Sequence, residues 1–157
     1  MLIKKNSRPI IVIDTNIWID WFVFSDPSVQ ILKNQISKES LQIVINSHCL
    51  EELQKVIGYS FAKRQLNQKE QITAIAKCLE ITKFITENNK NQLLSKTLRC
   101  ADSSDQKYIE LSIVSNADYL ITRDLALLAL ERKKCHKKFH ILSLSKYNSL
   151  FEVKKII

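Results

Sequence analysis

Short apolar runs punctuate the chain at Ile10-Ile11-Val12-Ile13, Leu41 to Ile45, Tyr119-Leu120-Ile121-Thr122 and His140-Ile141-Leu142, and stretches with helical spacing fill the intervals. The first run is wholly apolar and β-branched, the pattern of a strand buried on both faces of a parallel sheet. It ends on Asp14-Thr15-Asn16, after which a helix from near Ile17 would carry Trp18, Trp21 and Phe22. Ser25-Asp26-Pro27-Ser28 breaks that helix and opens a second one through about Lys38. Beyond the second run, Ser47 offers an N-cap for a helix through about Tyr59, with Cys49, Leu50, Leu53, Val56 and Ile57 as its apolar stripe. Gly58 falls near the end of this helix, where a left-handed residue or a break fits. Ile72, Ile75, Ala76, Leu79 and Phe84 predict one further helix from about Gln68 to Phe84, and Thr86 to Gln92 reads as a polar surface loop. Asp102-Ser103-Ser104-Asp105 reads as the start of a helix running to about Asn116. Another helix follows Arg123-Asp124, with Leu125, Leu128 and Ala129.

Strands that alternate with helices, without tight hairpins, indicate an α/β three-layer α/β/α sandwich around a central parallel sheet of four to five strands. The 157 residues suit a single domain spanning 1–157. Hydrophobic residues are 45% and charged residues 25%, the balance of a globular protein. No apolar run approaches the ~20 residues that cross a bilayer, and the N-terminus turns polar at once, so the expected location is the cytoplasm and no membrane partner is expected.

Lys and Arg number 24 against 16 acids, a net charge of +8 that favours a polyanionic partner without identifying one. The four cysteines, Cys49, Cys78, Cys100 and Cys135, lack a Cys-x-x-Cys pair and read as buried free thiols, since free Cys packs as a small hydrophobe. A zinc site at Cys135, His136 and His140 has suitable ligand types, but adjacent Cys-His is poor geometry and a fourth ligand is not evident. Gly58 is the only glycine, which excludes the glycine-rich dinucleotide fingerprint and the phosphate-cradling P-loop.

In open parallel sheets, ligands bind outside the carboxyl ends of strands. Asp14 directly follows the first run and Asp124 closely follows the third. Glu52 stacks near Cys49 and Val56 on the flank of its helix's apolar stripe, and Asp105 occupies the first turn of its helix. Four carboxylates could thus converge at one rim, where a hard cation such as Mg2+ or Mn2+ would relieve their repulsion. Each acid also has an ordinary reading. Asp14 and Asp124 suit turns or caps, Asp105 complements a helix dipole, and Glu52 suits a solvated helix face.

Taken together, Ile11-Val-Ile-Asp-Thr-Asn-Ile-Trp, Ser47-His-Cys-Leu-Glu-Glu-Leu-Gln-Lys-Val-Ile, Asp102-Ser-Ser-Asp-Gln-Lys-Tyr-Ile-Glu-Leu-Ser and Ala117-Asp-Tyr-Leu-Ile-Thr-Arg-Asp-Leu resemble the PIN-domain family, in its bacterial branch of toxin–antitoxin toxins akin to VapC. The resemblance implies metal-binding acids at Asp14, Glu52, Asp105 and Asp124, with Asn16 and Thr122 supporting them by hydrogen bonds. It also implies Mg2+- or Mn2+-dependent endoribonuclease activity leaving 5′-phosphate and 3′-hydroxyl ends, homodimers, and an antitoxin protein as partner. Where relatives often carry Asp-Pro-x-Asp-Asp, this chain has Asp102-Ser-Ser-Asp105-Gln106, so Asp102 rivals Asp105; the small Ser112, seven residues on, favours Asp105. Arg123 suits a phosphate contact.

Tyr59, Phe61, Lys63 and Arg64 interleave aromatics with cations and suit either a grip on single-stranded RNA through Lys63 and Arg64, or core packing beside a solvated face. The basic run Arg132 to Lys138 suits a phosphate-contacting patch or a solvated loop. The leading alternative to a ribonuclease is a catalytically inactive PIN-like RNA- or protein-binding module, although an acidic nest gives a mere RNA binder nothing. A flap-type DNA nuclease needs DNA-gripping elements that do not fit this length. A phosphoacceptor receiver domain would want paired acids near the first strand, and Asp14-Thr15-Asn16 supplies one.

Overall fold

β-Branched residues lose side-chain freedom in a helix and pack well on a pleated surface, so the apolar runs settle as strands. The structure is a computed structural model describing residues 8–86, 98–100, 102–133 and 139–152. Its strands are β1 (Ile10–Ile13), β2 (Gln42–Ile45), β3 (Thr82–Phe84), β4 (Tyr119–Ile121) and β5 (His140–Leu142). They form one all-parallel sheet in the order β3-β2-β1-β4-β5. The helices are α1 (Thr15–Phe22), α2 (Gln30–Ser37), α3 (Ser47–Val56), α4 (Gln68–Ile81), α5 (Gln106–Val114), α6 (Leu125–Ala129) and α7 (Leu144–Glu152). The result is an α/β/α sandwich.

The strand order fixes where a site can form. From β1 the chain winds outward through β2 to β3, then returns to the other side of β1 for β4 and β5. The winding direction therefore reverses between β1 and β4, and the crevice at such a switch point, at the carboxyl ends of the strands, is where ligands bind in open parallel sheets. Ile11, Val12, Ile43, Leu120 and Ile121 are fully buried in the sheet. Helix α1 covers it with Ile17, Trp18 and Trp21, and the rings of Trp18 and Phe22 stack 5.6 Å apart.

Several boundaries depart from the sequence pattern. The helix expected over Gln68 to Phe84 ends at Ile81, and Thr82–Phe84 becomes the edge strand β3, paired with β2 through Ile43↔Thr82 and Ile45↔Phe84. Three residues on an edge, with Lys83 and Phe84 exposed, are too few to display an alternating signal. Helix α3 stops at Val56, short of Tyr59, and its N-cap is Asn46, one residue before Ser47. Helix α1 begins at Thr15, and a 3-10 turn at Pro27–Val29 precedes α2, which ends at Ser37. Thr122 lies just past β4. Gly58 does not take a positive φ, and the atoms nearest an added Cβ, 2.9 Å away at Oε1, belong to the flexible end of the Gln71 side chain.

Cys49, Cys78 and Cys100 are buried free thiols, and burial pushes Cys78 up to about 12. Cys135 and His136 of the zinc alternative lie outside the described residues, as do most of the Thr86 to Gln92 segment and Lys134 to Lys138 of the basic run. His140 faces Glu131, with 3.0 Å between Nδ1 and Oε1. Among the described residues no helix is long and apolar enough to cross a membrane.

Candidate functional site

Asp14 leaves the end of β1 as the N-cap residue of α1 and is almost fully buried. Its backbone N–H donates to the Ile121 carbonyl at 2.9 Å, which ties it to the end of β4 across the switch point. One residue beyond β4, the buried Thr122 hydroxyl donates to Oδ2 of Asp14 at 2.6 Å and accepts the Asp124 backbone N–H at 2.9 Å. A single hydroxyl thus sets the spacing of two acids. Asp124 caps α6, accepting the Leu127 N–H at 3.1 Å through Oδ1.

Glu52 comes from α3, whose start is fixed by the Asn46 side chain accepting the Cys49 N–H at 3.0 Å. Losing such a cap costs ~1 kcal/mol. Asn46→Ala is therefore expected to lower unfolding free energy by about that amount and to weaken Glu52's placement, checked by urea unfolding beside an activity assay. The Glu52 carboxylate is bound on both oxygens. Oε2 accepts the Thr15 hydroxyl at 2.6 Å and is bonded to the Tyr108 hydroxyl, while the Lys107 ammonium donates to Oε1 at 2.9 Å. The Tyr108 hydroxyl also meets the Thr15 hydroxyl, so α1, α3 and α5 join at one carboxylate.

Asp105 lies in a 3-10 turn, Ser103–Asp105, that leads into α5. The rival Asp102 is exposed and caps this turn, accepting the Ser104 N–H at 2.9 Å and the Ser104 hydroxyl at 2.7 Å; those bonds hold its carboxyl below the usual range. Asp105 is the opposite case. No hydrogen bond reaches its carboxyl among the described residues, and burial together with the charges of Asp124, Asp14, Asp102 and Glu52 pushes it up to about 7. Burial likewise raises Asp14 and Glu52's charge adds to this, against the Thr122 hydroxyl and the Asn16 backbone N–H. Burial would raise Glu52 too, but bonds from Thr15, Tyr108 and Lys107 prevail and lower it.

The structure thus brings Asp14, Glu52, Asp105 and Asp124 within one another's fields, with Thr122 between two of them. Asn16 contributes through its backbone, its side chain being exposed. Arg123, expected to suit a phosphate contact, pairs through one guanidinium nitrogen at 3.1 Å with Asp20, a buried acid of α1, and its side chain remains 53% exposed. Lys63 and Arg64 do not join the acids. Their turn follows Phe61, which packs edge-on against Phe24, 5.4 Å between centroids, beyond the far end of the 8-residue α1. That helix alone rises about 12 Å. Arg64 instead lines a separate cleft of about 390 Å³ with Lys69 and Lys77.

Thr15, Asp20, Lys107 and Tyr108 escaped the sequence reading. Tyr108 follows Asp105 by three residues, hence on one helical face, but sits among apolar residues and reads as core. An open groove of about 740 Å³ runs beside Glu52 between α3 and α5, lined by Lys55, Arg99, Ser103, Ser104 and Lys107 among others.

Hard carboxylate oxygens are the donor set that Mg2+ and Mn2+ prefer. Among the described residues no three His, Cys, Asp or Glu side chains already form a cage for an ion. Glu52, Asp14 and Asp124 each also accept a hydrogen bond from a protein donor. Mg2+ usually keeps several waters and takes one or two carboxylates, so the donor set fits it without such a cage.

A family model described as PIN domain matches residues 10–126. No curated protein matches the chain. Among solved structures, a chain in the crystal structure of VapBC2 from Rickettsia felis bound to a DNA fragment from their promoter superposes with a TM-score of 0.63 and 17% identity, covering 85% of this chain and 98% of that one. At that identity the likeness is one of fold.

Proposed function

The chain belongs to the PIN-domain family, and from that premise we propose that it is a metal-dependent endoribonuclease hydrolysing RNA phosphodiester bonds at Asp14, Glu52, Asp105 and Asp124. The observation that supports the reading is that the charges of Asp14, Glu52 and Asp124 all act on Asp105, four carboxylates from four different elements near the switch point of the sheet. Like charges in close quarters are unfavourable unless a cation or a proton offsets them, and Asp105 lacks any donor to do so among the described residues.

Asp105 and Asp124 would hold Mg2+ or Mn2+, with Asp14 and Glu52 completing the negative field. The bound ion would make a water acidic enough to attack phosphorus at neutral pH and would offset charge on the leaving oxygen. The chain's own work is positional. Thr122 keeps Asp14 and Asp124 at fixed separation, and the hydroxyls of Thr15 and Tyr108 fix Glu52 as a carboxylate.

The wider reading is a toxin controlled by an antitoxin protein and acting as a homodimer in the cytoplasm. Its support is the motif resemblance and the fold likeness to the VapBC2 chain, while the net charge of +8 favours RNA. Cleavage of a labelled structured RNA with Mg2+, Mn2+ or EDTA tests the activity. Metal-dependent cutting that Asp14→Asn abolishes is the expected result. Binding of RNA or metal without cutting under any of these conditions would favour the inactive module instead.

A further inference from the structure

The Glu52 carboxylate is gripped from two sides. On the buried side Thr15 and Tyr108, both in the core, bond Oε2. On the open side Lys107 reaches Oε1 at 2.9 Å, and the two side chains of this pair are 22% and 24% exposed, facing the groove between α3 and α5. The two hydroxyls already hold Oε2, so Lys107 is not needed to anchor the carboxylate against the core. The pair is only partly buried, so Lys107 still reaches the groove.

An ammonium has three donors, and Glu52 takes one. The Tyr108 ring, 5.8 Å from Nζ, steadies the cation from one side without using a donor. The groove that Lys107 lines also holds Lys55, Arg99, Ser103 and Ser104, which can donate to phosphate, interspersed with the acids Glu51, Glu52 and Glu110. A strand with one phosphate at the acids would lay an adjacent phosphate in this groove.

We propose that Lys107 is a substrate-contacting residue, held at the rim of the acid cluster by Glu52 and donating to an RNA phosphate beside the one attacked. The inference rests on the nuclease reading and adds to it a cation and the direction in which the strand leaves the site.

The test uses a short fluorescein-labelled single-stranded RNA and the full chain, with binding read by anisotropy in Ca2+ buffer across about 50 to 200 mM KCl, and Mn2+ affinity read separately by electron paramagnetic resonance. Lys107→Met is expected to weaken RNA binding about tenfold and to reduce the salt slope by about 0.7, the value of one lost phosphate contact on a single strand. Mn2+ affinity should stay level or tighten, because a competing cation is gone. Lys107→Arg should restore both RNA readings, and it serves if the methionine variant folds poorly. Unchanged RNA affinity and salt slope, with only Mn2+ binding weakened, would show that Lys107 merely fixes Glu52 and would overturn the proposal. RNA that binds but is never cut in Mg2+ or Mn2+ would sink the nuclease reading while leaving the Lys107 comparison decisive. A wild-type chain that binds no RNA overturns both.

Discussion

Asp105→Asn is expected to remove RNA cleavage and, in the same protein without metal, to raise thermal stability. Loss of a partner that merely orients a metal ligand costs 10- to 100-fold in metal affinity or activity, so loss of a proposed ligand should cost more than about a hundredfold. The stability gain follows from the same charges. Burial and the neighbouring acids raise Asp105 to about 7 in the folded chain, against an ordinary value of 3.8. A group raised in this way binds more protons folded than unfolded between those values, so its penalty grows as pH climbs from about 4 to about 7 and then levels off. In EDTA at pH 8 the variant should melt about 2 °C higher, a small shift because the group is partly exposed and solvent screens it. At pH 4 the difference should vanish. Differential scanning fluorimetry at the two pH values checks the sign, and equal melting points at pH 8 would mean that the acids do not strain one another.

Thr122→Val removes one hydroxyl and strands two partners. The group is fully buried, donates to Asp14 and accepts from the Asp124 N–H. Leaving buried polar atoms unpaired costs about 1–3 kcal/mol, so unfolding free energy should fall by that amount in urea titrations. Activity should fall about 10- to 100-fold, as expected for a residue that orients ligands. Thr122→Ser keeps the hydroxyl and should recover most of the activity even where it loses some packing. If valine costs stability but leaves cleavage untouched, the spacing of Asp14 and Asp124 does not matter to the chemistry.

The contrast between Asp105 and Asp102 shows where reading the chain succeeds and where it stops. Four strands announce themselves as β-branched or apolar runs, and their order with the helices gives the sandwich. The strand Thr82–Phe84 does not, since a three-residue edge carries no periodicity and its identity comes from pairing with Ile43–Ile45. Asp14 and Asp124 drew attention because the first directly and the second closely follows an apolar run. Only the small Ser112 favoured Asp105 over Asp102 along the chain; in space Asp102 caps its own turn, whereas the charges of the other acids act on Asp105. The partners of Glu52 were illegible for the same reason. Thr15, Lys107 and Tyr108 lie 37, 55 and 56 positions away and look like cap, surface and core. The pairing of Arg123 with Asp20 is likewise announced by nothing local. Lys63 and Arg64 look promising as a charged aromatic segment, yet Phe61 seats them at the far end of α1.

Mn2+ binding to the wild type, Asp105→Asn and Asp102→Asn, followed by electron paramagnetic resonance at neutral pH, bears most directly on the proposed metal site. Asp102→Asn is expected to bind as the wild type does, because Asp102 serves its own turn, whereas Asp105→Asn should lose the bound signal. Loss in Asp102→Asn with retention in Asp105→Asn, or no bound Mn2+ in the wild type, would contradict the assignment of these carboxylates as a metal site.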